Sequence, residues 1–103
     1  MTGKQLFSLE GRVAVVTGAG GGLGRLLGRG LIEAGASVVA CDIDLTSVEA
    51  TADLLGSQAF AARADVTAPD QIDQLLKEVD RRFGNLNVWV NNANIDIMSR
   101  RFR

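Results

Sequence analysis

Residues 15–25, VVTGAGGGLGR, contain five glycines and directly follow a run of apolar residues. Because ordered glycine carries a cost in backbone entropy, such a loop indicates that side chains would obstruct something held there. The loop follows a predicted strand and opens a predicted helix, which is the context of a dinucleotide-binding fingerprint. Bare backbone would let a pyrophosphate come close, and the helix start would supply unpaired N–H groups and a positive dipole end. The alternative is a tight structural turn.

Three glycines of this loop have separate expected roles. A side chain at Gly18 or Gly22 would push the phosphates out, whereas Gly24 would let the helix sit close to the strand. No lysine follows the glycines, which disfavours a P-loop for nucleoside triphosphates. Further along the chain, Asp42 ends the second predicted strand, near the ~20-residue offset of an acid that binds the ribose hydroxyls of adenosine. A helix cap or a solvated loop acid is the alternative for Asp42.

The elements that must position these residues follow from hydrophobic periodicity. Continuous apolar runs predict strands buried on both faces, and regularly spaced apolar residues predict amphipathic helices between them. The predicted strands span residues 13–16, 37–41, 58–64 and 87–90, and the predicted helices end at Gly35, Gly56 and Gly84. This β-α-β-α-β-α-β order with short connections predicts an α/β fold with a parallel sheet.

The predicted helices have specific starts and faces. The apolar face of the first helix is expected to contain Leu23, Leu26, Leu27, Leu31 and Ala34. Gly28 and Gly30 lie inside that helix, where close packing against the sheet would compensate their low helix propensity. Thr46 and Glu49 are predicted to form a capping box that opens the second helix. Pro69 is predicted in the first turn of the third helix, where proline is tolerated.

Composition and charge exclude several classes of function. The 103 residues carry a net charge of −1, so nucleic-acid binding is not expected, and no apolar run approaches the ~20 residues of a membrane span. With one cysteine, Cys41, and no histidine, neither an internal disulfide nor a zinc site is expected. These features favour a cytoplasmic protein without a signal peptide. Three arginines among the last four residues are interpreted as a solvated tail, with a binding element as the alternative.

Four motifs in consecutive order resemble those of the short-chain dehydrogenases/reductases. Residues 17–24, TGAGGGLG, match the T-G-x-x-x-G-x-G signature of that family, and residues 9–16 are similar to its usual lead-in. Asp65 and Val66 resemble the pair that contacts adenine in the family. Residues 91–93, NNA, resemble its N-N-A-G motif.

The resemblance extends from about residue 7 to residue 98. It implies a Rossmann-type doubly wound parallel sheet, truncated after its fourth strand, with the strands in the order 3-2-1-4. The first two helices are expected on one face of the sheet and the third on the other. Residues 1–103 are therefore expected to form a partial dinucleotide-binding domain, with residues 99–103 as a tail.

The resemblance also implies how the chain binds NAD. The pyrophosphate is expected to lie on Gly18, Gly20, Gly21, Gly22 and Leu23. Asp42 is expected to accept hydrogen bonds from both adenosine ribose hydroxyls, with Ile43 beside the adenine. Because the Asp42 carboxylate would repel a 2′-phosphate and no basic side chain stands nearby in the loop, NAD is expected in preference to NADP.

Two further motifs are expected to contact the ends of the cofactor. Asp65 and Val66 would meet the adenine, and Asn92 and Ala93 would contact the ribose on the nicotinamide side. Asn94 departs from the family pattern, which has glycine there. The departure is mild, because asparagine tolerates φ > 0 better than most residues.

A second departure concerns catalysis. The resemblance implies a catalytic Ser-Tyr-Lys arrangement, with Tyr-x-x-x-Lys on a later helix. This chain has no tyrosine. Its lysines, Lys4 and Lys77, and its tail residue Ser99 are assigned no catalytic role. The chain is therefore interpreted as the cofactor-binding part of an NAD-dependent alcohol/carbonyl oxidoreductase and is expected to be inactive alone. The alternative is a non-catalytic nucleotide-binding or regulatory module that pairs with another chain.

The fourth predicted strand suggests where such pairing would occur. Val88-Trp89-Val90 is apolar on consecutive residues, which indicates that both of its faces are meant to be covered. In the expected order this strand lies at an edge, and no lysine or proline within it blunts the edge. A missing C-terminal half or a second copy of the chain is expected to pair with it.

Overall fold

The computed structural model describes residues 8–92, in which strands and helices alternate. The elements are β1 Val13–Thr17, α1 Gly22–Glu33, β2 Ser37–Asp42, α2 Leu45–Leu55, β3 Ala59–Arg63, α3 Pro69–Phe83 and β4 Val88–Val90. The predicted element order is confirmed, and each strand end lies within one residue of its predicted position. The residues beyond 92 include Ala93, Asn94 and the predicted tail at 99–103, which lie outside the described part of the chain.

The four strands form one parallel sheet in the order β3-β2-β1-β4, which confirms the predicted fold. Val15 at the centre of β1 pairs with Val39 of β2 and with Trp89 of β4. The chain winds outwards from β1 to β3 and then crosses to the other side of β1 to form β4. In open α/β sheets of this kind, ligands bind at the carboxyl ends of the strands, where the order reverses. Here that position lies between the ends of β1 and β4.

Each face of the sheet has its own apolar core, and helices cover both. On one face, α3 contributes Leu75 and Val79 to a cluster that also contains Val13, Val15, Val39, Cys41 and Ala64. On the other face, α1 and α2 cover a cluster of Ala14, Val16, Ala19, Val38, Ala40 and Val48. As predicted, the first two helices lie on one face of the sheet and the third helix lies on the other. Every residue of β1 is buried, which explains its continuous apolar sequence.

The predicted apolar face of α1 is wrong at two positions. Leu23 is 53% exposed and Leu26 is 66% exposed, whereas Leu27 and Leu31 pack against the core. The two buried residues of α1 are glycines, Gly24 and Gly28. A prediction from hydrophobicity places leucines on the buried face and takes no account of a face where glycines allow close backbone contact.

The two glycines inside α1 differ in their packing. A Cβ at Gly28 would lie 3.0 Å from Leu55 Cδ1 and 3.7 Å from Val38 Cγ1, so the predicted close approach is confirmed there. Gly30 is exposed, and a Cβ on it would meet no atom of residues 8–92 within 4 Å apart from its chain neighbours and the backbone of its own helix. The predicted sheet packing of Gly30 is therefore wrong.

The predicted capping box of α2 is also wrong. The N-cap is Asp44, whose carboxylate accepts hydrogen bonds from Ser47 N at 3.4 Å and from Ser47 Oγ at 2.8 Å. An ionised carboxylate is a strong N-cap, and Asp44 lies two residues before the predicted Thr46 cap. Thr46 and Glu49 consequently lie within the helix.

The start and end of α3 match their predictions. Pro69 occupies the first turn, and Gly84 ends the helix with a left-handed φ of 77°. None of the helices within residues 8–92 is long and apolar enough to span a membrane.

Candidate functional site

The glycine loop between β1 and α1 lies at the reversal of strand order and is tied to its neighbours by backbone contacts. Gly18 adopts a left-handed φ of 64°, a conformation that favours glycine. Its carbonyl accepts hydrogen bonds from Gly21 N at 3.4 Å and from Asn92 Nδ2 at 3.2 Å. Ala19 N donates to Cys41 O of β2 at 3.0 Å. The loop is thus attached both to β2 and to the segment after β4.

Gly24 is required by the loop itself. A Cβ on Gly24 would lie only 2.7 Å from Ala19 Cα and closer still to the carbonyl oxygen of Gly18. The predicted close approach is therefore real, but α1 approaches the backbone of the loop rather than the strand. This packing fixes the first turn of α1 directly against residues 18 and 19.

The outer rim of the loop is open, which suits an anion. Gly21 and Gly22 are exposed, and a Cβ on Gly22 would meet no atom of residues 8–92 within 4 Å apart from its chain neighbours and the backbone of its own helix. The N-cap of α1 is Gly21, so no side chain caps the helix, and its first turn contains no acidic residue. The first N–H groups of α1 and the positive end of its dipole therefore face this rim, and no acidic side chain of the first turn competes for them. Leu23 stands exposed beside them.

The Asp42 carboxylate at the end of β2 points at the glycine loop. Its Oδ2 accepts from Gly20 N at 3.1 Å, and its Oδ1 accepts from Asp44 N at 3.3 Å. A Cβ on Gly20 would lie 2.9 Å from Asp42 Oδ2 and 2.6 Å from Ser47 Cβ, so position 20 has no room for a side chain. Because Asp44 caps α2, the alternative of a helix cap does not apply to Asp42. The next residue, Ile43, is 55% exposed.

Asp65 and Val66 follow β3 and lie near the same end of the sheet, since Ala64 N donates to Asp42 O at 3.1 Å. The Asp65 carboxylate accepts from Thr67 Oγ1 at 2.6 Å and Thr67 N at 2.9 Å. These bonds hold the pKa of the Asp65 carboxyl below its ordinary value of 3.8.

Two side chains that stabilise these end segments were given no role by the sequence. Gln71 Oε1, in α3, accepts from Asp65 N at 2.8 Å. Thr17 is fully buried, and its hydroxyl lies 3.2 Å from Val90 O and 3.4 Å from Asn91 Oδ1. The position of Thr17 in the glycine signature could have revealed this bridge from β1 to the end of β4. Nothing in the sequence indicates the contact of Gln71.

Cys41 lies next to Asp42 at the carboxyl end of β2 but is unsuited to nucleophilic chemistry. It is fully buried, and its thiol donates a long hydrogen bond of 3.9 Å to Ala64 O. Burial, with a smaller effect from the neighbouring Asp42 charge, raises the pKa of the thiol from 9.0 to about 11. The thiol therefore stays protonated near neutral pH.

The structure thus brings several predicted residues together on adjoining loops at the carboxyl ends of the strands. They are the residues at positions 18 and 20–23, 42–43, 65–66 and 92. Ala93 lies outside the described residues. Bare glycine backbone, an uncapped helix start and a fixed carboxylate define a site that suits a phosphate-bearing ligand with vicinal hydroxyl groups.

A family comparison agrees with this arrangement. The short chain dehydrogenase model matches residues 12–102. This chain belongs to the short chain dehydrogenase family.

Curated relatives and solved structures give the same result. The chain is 39% identical over 87 residues to a galactitol 2-dehydrogenase of Agrobacterium fabrum, covering 84% of this chain and 34% of the relative. It is 38% identical over 88 residues to a 7alpha-hydroxysteroid dehydrogenase of Escherichia coli, covering 82% and 34%. The chain thus spans about a third of the length of these relatives.

The crystal structure of a 3-ketoacyl-(acyl-carrier-protein) reductase from Brucella melitensis, complexed with NADH, superimposes with a TM-score of 0.76 at 34% identity. The match covers 80% of this chain and 34% of the reductase. A hydroxysteroid dehydrogenase from Escherichia coli superimposes with a TM-score of 0.77 at 35% identity, covering 82% and 37%.

Proposed function

We propose that this chain is the cofactor-binding part of an NAD(P)-dependent oxidoreductase that interconverts an alcohol and a carbonyl compound. Membership of the short chain dehydrogenase family supports this proposal, as does the similarity to a reductase solved with NADH. The observation that carries it is the Asp42 carboxylate, held 3.1 Å from Gly20 N at the open side of the glycine loop. The cytoplasm is the proposed compartment, in keeping with a single reduced cysteine.

The proposed site divides the cofactor among four segments of the chain. The pyrophosphate lies on the glycine loop and the first turn of α1, at Gly18, Gly20, Gly21, Gly22 and Leu23. Asp42 and Ile43 bind the adenosine ribose and adenine edge, and Asp65 and Val66 border the adenine. Asn92 and Ala93 contact the ribose on the nicotinamide side. When bound, NAD would supply the nicotinamide that takes up or returns the hydride.

NAD is proposed as the preferred cofactor over NADP. The Asp42 carboxylate already has two backbone donors, so its position is fixed before a ligand arrives. Two ribose hydroxyls can donate to such a group, whereas a 2′-phosphate removes one donor and adds like charge. The loop itself offers no cation to offset that repulsion, since residues 18–24 contain no basic side chain.

Calorimetric titration of the purified chain with NAD and with NADP, at one salt concentration, tests the preference. Asp42→Ala removes hydrogen bonds to a charged group, each worth roughly 1.5–3 kcal/mol, so NAD affinity should fall at least several-fold and the preference should vanish. Asp53→Ala, which removes the same charge from an exposed position of α2, serves as the matched control. Equal affinities for NAD and NADP in the unaltered chain would refute the preference.

We further propose that residues 1–103 form one partial domain that does not catalyse hydride transfer alone. The 103 residues contain no tyrosine to exchange a proton with the substrate oxygen. NADH formation or consumption with a panel of alcohols and ketones should therefore stay at background. Reproducible turnover that disappears in Asp42→Ala would contradict this proposal.

We also propose that a partner binds at β4. In the described sheet β4 is an edge strand paired with β1, and its three residues are half-buried. A complementary segment or a second copy of the chain would complete the cover of Trp89 on one face and of Val88 and Val90 on the other.

A further inference from the structure

We propose that Thr51, assisted by Arg25, is a positioning residue that orients the glycine loop towards Asp42. The idea rests on the proposed nucleotide-binding role of the loop. Thr51 lies in the middle of α2, away from the open rim of the site, and is fully buried. It is one of two buried polar residues within residues 8–92.

The Thr51 hydroxyl joins three parts of the fold. Its Oγ1 lies 2.7 Å from Ala19 O in the glycine loop, and 3.1 Å from Ser47 O one turn earlier in α2. The single hydroxyl proton is best placed to donate to Ala19 O, which is the nearer acceptor. Arg25 Nε, from the first turns of α1, donates to Oγ1 at 2.7 Å. A donor from a guanidinium strengthens this chain of hydrogen bonds, because it is charged.

The link to Asp42 passes through one peptide plane. The carbonyl of Ala19 and the N–H of Gly20 belong to the same planar peptide unit. Thr51 holds the carbonyl end of that unit, and the Asp42 carboxylate accepts from its N–H end at 3.1 Å. Rotation of the plane would break both bonds together. The Thr51 hydroxyl thereby fixes the direction in which Gly20 N meets Asp42.

The hydrogen bond of Ala19 N does not restrain rotation of the Ala19–Gly20 peptide plane. Ala19 N donates to Cys41 O at 3.0 Å, but it belongs to the preceding peptide unit. Gly20 has no side chain that could resist rotation, and position 20 has no room for one. The orientation of the Ala19–Gly20 peptide therefore depends on Thr51 at one end and Asp42 at the other.

Thr51→Val keeps the shape of the side chain but removes the hydroxyl, whereas Thr51→Ser keeps the hydroxyl. The first readout is amide hydrogen exchange by NMR without nucleotide, with Gly20 compared to Val15 of β1 in the same sample. In Thr51→Val, protection of Gly20 relative to Val15 should fall about tenfold. Thr51→Ser should retain it, and the exposed-site control Thr46→Val should leave it unchanged.

The second readout is the ratio of the dissociation constants for NADP and NAD. That ratio should fall several-fold in Thr51→Val and be restored in Thr51→Ser, since a loose peptide leaves the Asp42 carboxylate with only the bond from Asp44 N and a less fixed orientation. A lower stability of Thr51→Val with both readouts unchanged would overturn the positioning role and leave a merely structural one. If Thr51→Val does not fold, Arg25→Leu takes its place: a several-fold loss of Gly20 protection supports the proposal, and no change overturns it.

The two readouts separate this inference from the proposed function. A chain that binds neither dinucleotide would refute the proposed function, and Gly20 exchange would still decide the role of Thr51. A chain that binds NAD with the same preference in the wild type and in Thr51→Val, with Gly20 equally protected, would refute the positioning role alone.

Discussion

Asp42 and Asp44 stand two residues apart, yet the structure gives their carboxylates different tasks. Asp42 turns towards the glycine loop and accepts from Gly20 N, whereas Asp44 turns towards α2 and accepts from Ser47. The motif spacing was sufficient to single out Asp42. It could not distinguish Asp44 from Thr46 as the helix cap, because both are good capping residues and the choice depends on where the backbone turns.

The Asp44 cap leads to a prediction about stability and pH. Hydrogen bonds from Ser47 hold the pKa of the Asp44 carboxyl below its ordinary value of 3.8. A lowered pKa in the folded state contributes stability above the ordinary value, and that contribution is lost as the pH falls through the folded pKa. Asp44→Ala should therefore lower the urea midpoint at pH 7 and make a much smaller difference well below pH 3.8. An equal shift at both pH values would show that Asp44 does not act through its charge.

Cys41 provides a second prediction for a single residue. Burial raises the pKa of its thiol to about 11, against an ordinary value of 9.0. Since the raised pKa belongs to the folded state, the protonated thiol contributes its full stability below pH 9 and loses it as the pH approaches 11. Iodoacetamide at pH 8 should label the native chain far more slowly than the urea-unfolded chain. Comparable labelling rates would mean that the thiol is not buried.

At the scale of the elements, the sequence predicted the type and order of every strand and helix within residues 8–92. It succeeded because β1 and β2 are buried on both faces and must be apolar throughout. It failed on the apolar face of α1, where Leu23 and Leu26 are exposed. Hydrophobicity marks residues that prefer burial, but it does not detect positions where the backbone comes so close that only glycine fits.

Two glycines of α1 therefore make a matched pair for mutation. Gly24→Ala places a Cβ 2.7 Å from Ala19 Cα and should destabilise the fold by about 1–3 kcal/mol through overpacking. The Cβ of Gly30→Ala meets no atom of residues 8–92 within 4 Å outside the backbone of its own helix, so this variant should stabilise the fold by up to ~1 kcal/mol through helix propensity. Urea unfolding of both variants measures the difference. Similar free energies of unfolding for the two would contradict the assigned packing of Gly24.

At the scale of the whole molecule, β4 connects the candidate site to the sheet edge at which we propose that the chain associates. Asn92, just after β4, donates to Gly18 O, while the outer edge of β4 has no partner strand within residues 8–92. We predict concentration-dependent self-association in sedimentation velocity, with the emission of Trp89, the only tryptophan, moving to the blue. A monomer at high concentration, with blue emission from the start, would show that β4 is already covered.

The central claim is that a dinucleotide binds at the glycine loop and Asp42. The most direct test is a titration of the ¹⁵N-labelled chain with NAD, followed by amide chemical shifts. Another concavity of residues 8–92 has a volume of about 160 Å³ and lies between β3 and α3, lined in part by Phe60 and Arg82. Binding of NAD at the glycine loop should give the largest, saturable shifts at Gly20, Gly22 and Asp42. Shifts confined to Phe60 and Arg82, or no saturable shift at all, would contradict it.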